Sequence, residues 1–233
     1  MKNILIIGAG KGIGLKSAEL LSKEHQVISI SRNETVELKS LNTHFYQLDV
    51  SKDELEVLNG LPEQIHGLVY CPGSINLKPF NRLSEQDFLA DFQQNVMGAI
   101  RIIQKILPKM KKANGASIVL FSTVAVKLGM PFHASIAASK GAIEGLAKSL
   151  AAELAISGIR VNVIAPSLTE TPLAANLLST PEKKEASAKR HPLQRIGTAE
   201  EMAHMVEFLL SDHSSWMTGQ IIGIDGGIGA TRV

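Results

Sequence analysis

The sequence has few of the residues that build disulfide frameworks or aromatic surfaces. Cys71 is its only cysteine, and aromatic residues make up 4% of the 233 residues, with one tryptophan and two tyrosines. A single cysteine excludes an internal disulfide framework and is consistent with a reducing compartment.

Charge of one sign and long apolar runs are also scarce. The formal net charge is +2, and no basic block occurs. This balance favours a small-molecule substrate and argues against nucleic acid or a membrane as a partner. No stretch reaches the roughly 18 apolar residues of a membrane span, and the apolar start is interrupted too early for a signal peptide. We therefore expect a cytoplasmic protein and, with 45% hydrophobic residues, one domain over residues 1–233.

A glycine-rich turn follows the first apolar run. Ile4–Ile7 predicts a strand that is buried on both faces. Gly8 permits a tight turn, Gly12 lets a pyrophosphate approach the backbone, and Gly14 lets the next helix pack against the strand. That helix, at about residues 12–23, would direct its N-terminal amides at a phosphate. The spacing is not the commonest dinucleotide fingerprint, so the turn alone leaves a purely structural role open.

Strand and helix patterns alternate along the rest of the chain. Strands are predicted at residues 26–30, 44–48, 66–71, 116–121, 159–165 and 220–224, and helices at 84–112, 134–157, 171–190 and 198–210, with a short one opened by Ser51. Such alternation predicts a parallel α/β sheet with helices on both faces. The ligand of such a sheet lies beyond the carboxyl ends of its strands. The two longest helices are rich in small residues and are candidates for a subunit contact.

Seven different short motifs occur in order between the glycine turn and the C-terminal region. They are Gly8-Ala9-Gly10-Lys11-Gly12-Ile13-Gly14, Leu48-Asp49-Val50, Asn95-Val96-Met97-Gly98, Ser139-Lys140-Gly141-Ala142, Val161-Asn162-Val163-Ile164-Ala165-Pro166, Arg195-Ile196-Gly197, and Thr218-Gly219-Gln220 with Asp225-Gly226-Gly227. In these motifs and their order, the chain resembles the short-chain dehydrogenase/reductase family. The resemblance implies a Rossmann-type, doubly wound domain with a seven-stranded parallel sheet in the order 3-2-1-4-5-6-7. It also implies a bound nicotinamide dinucleotide and a homodimer or homotetramer.

The resemblance also implies a set of cofactor-binding residues. They are Gly8, Gly10, Lys11, Gly12, Ile13, Gly14, Arg32, Asp49, Val50, Gly73, Lys140, Pro166 and Thr171. Asp49 resembles the adenine contact, although an aspartate that caps its own turn fits as well. Thr171 resembles the threonine that holds the nicotinamide carboxamide, with a helix N-cap as the alternative. Two neighbours depart from the family: Ser167 follows Pro166 where a glycine is usual, and Tyr70-Cys71-Pro72-Gly73 replaces Asn-Asn-Ala-Gly.

Charge near the second strand bears on the choice of cofactor. NAD enzymes use a carboxylate there for the ribose hydroxyls, whereas NADP enzymes need cations for the 2′-phosphate. Arg32 follows the second strand, no acid stands beside Ser31, and Lys11 lies in the glycine turn. This pattern predicts NADP(H) in preference to NAD(H), the alternative being two solvated surface cations.

The catalytic positions implied by the resemblance are only partly filled. Lys140 and Asn95 stand at the lysine and asparagine positions, and Thr123, with Ser122 beside it, stands at the serine position. The tyrosine position, four residues before the lysine, is Ile136. An isoleucine side chain has no proton to give, so the usual general acid is missing, and ordinary ketone reduction is expected to be slow.

One histidine offers a replacement for the tyrosine. His133 lies seven residues before Lys140, the spacing that enoyl reductases of the family use for their tyrosine, although a surface histidine in the loop before the helix is the simpler explanation. Two functions therefore stay open. One is an NADP(H)-binding oxidoreductase that transfers hydride to a small carbonyl, enone or imine with an atypical proton donor. The other is a catalytically impaired NADPH-binding sensor or partner subunit. Residues 172–190 are expected to cover the substrate.

Overall fold

A parallel sheet forms the centre of the computed structural model, which describes residues 1–231. The strands are β1 Asn3–Ile7, β2 Gln26–Ser31, β3 Thr43–Gln47, β4 Gly67–Tyr70, β5 Ala116–Phe121, β6 Ile159–Pro166, β7 Thr169–Glu170, β8 Gly197–Thr198 and β9 Ile221–Ile224. The main sheet has seven parallel strands in the order β3-β2-β1-β4-β5-β6-β9. This confirms the predicted sheet and its order, with β9 as the seventh strand because β7 and β8 pair with each other.

Helices cover both faces of the sheet. They are α1 Gly12–Leu21, α2 Val36–Lys39, α3 Glu85–Phe92, α4 Gly98–Lys111, α5 Val124–Leu128, α6 Ala134–Leu154, α7 Pro181–Lys189 and α8 Ala199–Leu210. A π-helical segment, Gln93–Met97, joins α3 to α4. Within residues 1–231, no helix has the length and apolar character that crossing a membrane requires.

Alternation along the central strands divides the core into two layers. Leu5 and Ile7 of β1 pack in a cluster with residues of α4 and α6, whereas Ile4 and Ile6 pack in a second cluster with residues of α1 and α8. All four side chains are at most 1% exposed. A strand that is apolar on both faces therefore fixes β1 in the middle of the sheet, and the loop after it at the middle of the carboxyl edge.

Two of the predicted helix starts are confirmed by capping boxes. The Ser84 hydroxyl accepts from the Asp87 amide while the Asp87 carboxylate accepts from the Ser84 amide, and Thr198 and Glu201 make the same exchange. The predicted helix at Ser51 is wrong. The Ser51 amide and hydroxyl both donate to Asp49 Oδ1, which holds residues 49–51 in a turn, and the next helical residues form a 3₁₀ turn at Glu56–Gly60.

The predicted helical segment 171–190 consists of 3₁₀ turns at Pro172–Leu178 followed by α7. Both ends of this segment are fastened near the loop after β6. The Thr171 hydroxyl donates to the Thr169 carbonyl oxygen, and His191 Nε2 lies 2.8 Å from Ser167 Oγ. Because His191 Nδ1 faces the Ser187 carbonyl oxygen and donates to it, Nε2 is the acceptor for the Ser167 hydroxyl.

Candidate active site

A cleft of about 440 Å³ lies at the carboxyl edge of β1, β2 and β4. The glycine turn after β1 forms its floor, with Gly8 at φ +81° and α1 starting at Gly12. A Cβ on Gly14 would overlap the Gly8 carbonyl oxygen, so α1 can pack this close only with glycine there. The unpaired amides at the start of α1 therefore face the cleft, an arrangement that suits a phosphate group.

Most of the cofactor-binding residues implied by the family resemblance line this cleft. They are Gly8, Gly10, Lys11, Gly12, Ile13, Gly14, Arg32, Asp49, Val50, Gly73 and Thr171. Pro166 and Lys140 are not part of the lining. Pro166 ends β6 and pairs with Ile224 of β9, and Lys140 lies behind Gly73.

Lys11 and Arg32 are exposed cations at the edge of the cleft. Among the residues that the structure describes, neither side chain makes an ion pair or a hydrogen bond. Glu34, the acid nearest in sequence to the end of β2, lies 3.6 Å from Lys39 Nζ and is directed at that lysine. This edge of the cleft thus carries two cations without a direct partner, and Asp49, whose charge interacts with that of Arg32, lines the same cleft.

Two roles were considered for Asp49, an adenine contact or a turn cap, and two for Thr171, a carboxamide contact or a helix N-cap. The Ser51 amide and hydroxyl bind Asp49 Oδ1, and the hydroxyl bond is the main reason why the pKa of this carboxyl lies below its usual value. The aspartate is therefore a turn cap that also lines the cleft. Thr171 makes no capping hydrogen bond to the turns that follow it, and its Cβ lies 3.4 Å from the point where a Cβ on Gly12 would stand. Its side chain packs against the glycine turn.

Lys140 is a buried lysine on α6. It is 7% exposed, and its ammonium donates to the Phe121 carbonyl oxygen at 2.9 Å, at the end of β5. Burial disfavours the charged form and lowers the pKa of Lys140 to about 8, while Cys71 and Asp91 oppose this shift. The site therefore holds an ionisable amine that titrates close to neutral pH.

Asn95 lies on the π-helical segment and is fully buried. Its amide nitrogen donates to the Asp91 carbonyl oxygen and to Ser74 Oγ, but its Oδ1 accepts no hydrogen bond from the described residues. Oδ1 lies 3.7 Å from the position a Cβ on Gly73 would take, and Lys140 Nζ lies 3.8 Å from that same position. An unpaired buried acceptor and an ammonium group therefore converge on the face that the glycine leaves free.

Tyr70 explains the π-helical segment. Its hydroxyl donates to the Gln94 carbonyl oxygen at 2.6 Å, taking an acceptor from the regular helical ladder. A Cβ on Gly98 would overlap this hydroxyl, so the helix admits the ring only beside a glycine. Burial raises the pKa of Tyr70, and its proton is committed to a backbone carbonyl. This tyrosine is structural and does not replace the missing one.

The remaining catalytic candidates differ in what their side chains can still do. Ile136 is buried in the first turn of α6. The Ser122 hydroxyl donates to Glu144 at 2.6 Å. Thr123 caps α5 by accepting from the Ala125 amide, which leaves its hydroxyl proton free to donate. His133 Nδ1 donates to the Pro131 carbonyl oxygen, and His133 is not among the residues that line the cleft.

Sequence reasoning missed a buried carboxylate beside this site. Asp91 is 3% exposed and accepts from the hydroxyls of Ser74 and Ser135. These residues lie on α3, on the loop after β4 and at the start of α6, so only the fold brings them together. The available signal was helical spacing, because Asp91 lies four residues before Asn95 and therefore on the same face.

Comparisons with known proteins agree with this architecture. A family model described as Enoyl-(Acyl carrier protein) reductase matches residues 8–229. The 3-oxoacyl-[acyl-carrier-protein] reductase FabG of Thermotoga maritima is 36% identical over 97% of both chains. A short chain dehydrogenase family protein from Francisella tularensis superimposes with a TM-score of 0.90 at 32% identity, covering 99% of this chain and 100% of that one. ElxO with NADP bound gives a TM-score of 0.88 at 28% identity over 99% of each chain.

Proposed function

We propose, from the premise that this chain belongs to the short-chain dehydrogenase/reductase family, that it is an NADP(H)-dependent oxidoreductase whose proton donor is not a tyrosine. Its substrate would be a small carbonyl compound, enone or imine. The observation that carries the proposal is the convergence of Lys140 and Asn95 on Gly73 at the inner end of the glycine-turn cleft. A cofactor lying along that cleft would bring its nicotinamide to these two residues.

The residues present fit a dinucleotide with an additional phosphate. The start of α1 offers backbone amides for a pyrophosphate, and Lys11 and Arg32 offer charge-assisted hydrogen bonds for a 2′-phosphate. Lys140 would hold the nicotinamide ribose, and Thr123 would orient the substrate through its free hydroxyl proton. When bound, the cofactor supplies the hydride.

The missing phenol narrows the substrate class. A positioned general acid contributes about 10²- to 10⁴-fold to a rate, which corresponds to roughly 3 to 5 kcal/mol. Without it, acceptors that need little acid assistance, such as an activated alkene or an iminium ion, retain the largest share of their rate.

A second candidate is a protein that binds NADPH as a sensor or partner subunit without turnover. Two observations favour it: Ile136 at the tyrosine position, and Tyr70 committed to the Gln94 carbonyl oxygen. Asn95 favours the enzyme, because a protein that only binds the cofactor has little use for an unpaired buried acceptor beside a lysine.

Calorimetric titration with NADPH and NADH tests the cofactor assignment. The unmodified protein should bind NADPH at least tenfold more tightly, and Lys11→Ala combined with Arg32→Ala should remove most of this difference, since the 2′-phosphate loses its charged partners. Lys16→Ala is the matched control, because Lys16 is an exposed cation on α1 that pairs with Glu19 and does not line the cleft. Equal affinities for the two cofactors would contradict the preference.

A screen for NADPH oxidation with carbonyls, enones and imines then separates the two candidates. Turnover of any substrate in the panel supports the oxidoreductase. Tight NADPH binding with no oxidation across the panel favours the sensor or partner subunit.

A further inference from the structure

A hydrogen-bonded chain of side chains runs along one wall of the site. The Ser135 hydroxyl donates to Asp91 Oδ2, and the Ser74 hydroxyl donates to Oδ1 at 2.5 Å. Asn95 then donates to Ser74 Oγ at 3.1 Å, and its own Oδ1 faces the space shared with Lys140 Nζ. From the Asp91 carboxylate, the chain leads to the ammonium group through two hydrogen bonds and one open gap, while Ser135 holds the carboxylate from the other side.

The carboxylate has no cation in direct contact. Asp91 is 3% exposed, and among the described residues no lysine, arginine or histidine lies within ion-pair distance of it. The hydroxyls of Ser74 and Ser135 stabilise this charge by hydrogen bonds but do not neutralise it, so it can act on a cation at longer range. The cation affected by this charge is Lys140. The Asp91 charge raises the pKa of Lys140, whereas burial lowers it.

Few other charges act on this ammonium group. On the loop after β4, Cys71 faces it, but burial raises the pKa of that thiol to about 12, so it is uncharged at neutral pH. From β5 and the π-helical segment, Lys140 meets the neutral Phe121 carbonyl and the Asn95 amide. Glu144, one turn further along α6, is bonded to Ser122 and is not among the charges that shift the pKa of Lys140. Asp91 is therefore the anionic group that opposes the burial of Lys140.

We propose that Asp91 is a positioning residue whose buried carboxylate, held by Ser74 and Ser135, keeps the Lys140 ammonium protonated beside Asn95 as the proton source that replaces the tyrosine. This rests on the proposed function. With the cofactor bound, the reduced nicotinamide would supply the hydride, and the Lys140 ammonium would supply one proton to the substrate. The ammonium becomes a neutral amine and is protonated again by water.

The direct test follows the titration of Lys140 in the cofactor-free protein. Lysine labelled with ¹³C at Cε reports the charge on each amine by NMR, and the Lys140 signal is identified by its loss in Lys140→Arg. Asp91→Asn should lower the midpoint of this signal by about one pH unit, as expected for removal of a charge several ångströms away. Should Asp91→Asn not fold, Asp91→Ser removes the same charge with a side chain small enough for the site.

Glu85→Gln is the matched control. It removes one negative charge from an exposed residue of the same helix, and should leave the Lys140 midpoint unchanged. An unchanged midpoint in the Asp91 variant, or equal shifts in both variants, overturns the proposal. The titration does not depend on turnover, so it tests the effect of Asp91 on Lys140 even if the NADPH screen shows no activity. For any substrate that is turned over, kcat/KM should fall as pH rises through the Lys140 midpoint, and the fall should begin at lower pH in Asp91→Asn.

Discussion

Ile136 lies one helical turn before Lys140 on a helix whose start is well packed. It is 6% exposed, and the next residue toward the N-terminus, Ser135, bonds to Asp91. The neighbours of a side chain at this position are therefore held in place. Under these conditions, the effect of a larger side chain can be measured separately from the effect of a hydroxyl. Tyrosine and phenylalanine introduce the same ring, and only tyrosine introduces a proton.

Ile136→Tyr should create or increase carbonyl reduction by about one to four decades relative to Ile136→Phe, because it places a phenol one turn from Lys140. The measurement is NADPH oxidation with a panel of ketones across a pH series, with far-UV circular dichroism as the folding control. Equal rates in the two variants would show that a proton at this position is not limiting.

The same series includes His133→Ala. If His133 already supplies the proton, this change abolishes the wild-type rate and Ile136→Tyr adds little. If Lys140 supplies it, His133→Ala leaves the rate close to that of the unmodified protein, because the His133 Nδ1 proton is held by the Pro131 carbonyl oxygen.

At the scale of elements, the sequence predicted those strands and helix starts that depend on residues close together in the chain. The apolar runs of β1 and β5 and the capping boxes at Ser84 and Thr198 each lie within a few residues, and the structure has them as expected. The predicted helix at Ser51 was wrong because the Asp49 side chain binds the Ser51 amide and hydroxyl and so stabilises a turn at these residues. In the site, the glycine turn could be predicted because its residues are contiguous. The buried position of Asp91 could not, because it depends on three segments that are distant in sequence.

The π-helical segment shows why such features escape sequence reasoning. It requires the Tyr70 hydroxyl to reach a carbonyl 24 residues later, beside a glycine in the next turn. No periodicity within residues 84–112 carries that information, so this region was predicted as one uninterrupted helix. Asn95 lies within this segment and is buried there.

The long helices also carry a prediction about assembly. Leu89 and Phe92 on α3 are 51% and 41% exposed, and α6 presents exposed small residues such as Gly145. We propose that these helices form a homo-oligomer contact, so light scattering should give a mass that is a multiple of 25.1 kDa at micromolar concentration. Phe92→Glu should lower this mass, since it buries a charge in the contact.

Ile156→Glu is the control for that change, because Ile156 is 96% exposed but lies beyond the end of α6. A measured mass of 25.1 kDa for the unmodified protein, which is that of a monomer, would rule out the proposed contact.

At the scale of the whole molecule, the burial of Lys140 links stability to pH. Its pKa is about 8 in the folded protein and 10.5 as a reference value, so the unfolded chain holds the proton between these values and the folded chain does not. The free energy of unfolding due to this group therefore rises with pH across that window, by about 3 kcal/mol in total. Below pH 8 the buried charge is a constant destabilising contribution.

Urea unfolding of the unmodified protein and of Lys140→Met at a series of pH values measures this contribution. The difference in unfolding free energy should shift in favour of the unmodified protein by about 3 kcal/mol between pH 7 and 10.5. Parallel curves for the two proteins would mean that Lys140 titrates normally in the folded state.

The fastening of residues 172–190 at both ends has an entropic consequence. His191 bonds to Ser167, which precedes Thr171 by a few residues, so the two ends of the segment are held near each other in the absence of a ligand. Bringing together the ends of a free chain of this length costs about 2 to 3 kcal/mol of closure entropy. Folding meets that cost in this protein, so a substrate that orders the segment loses only the internal freedom of the loop.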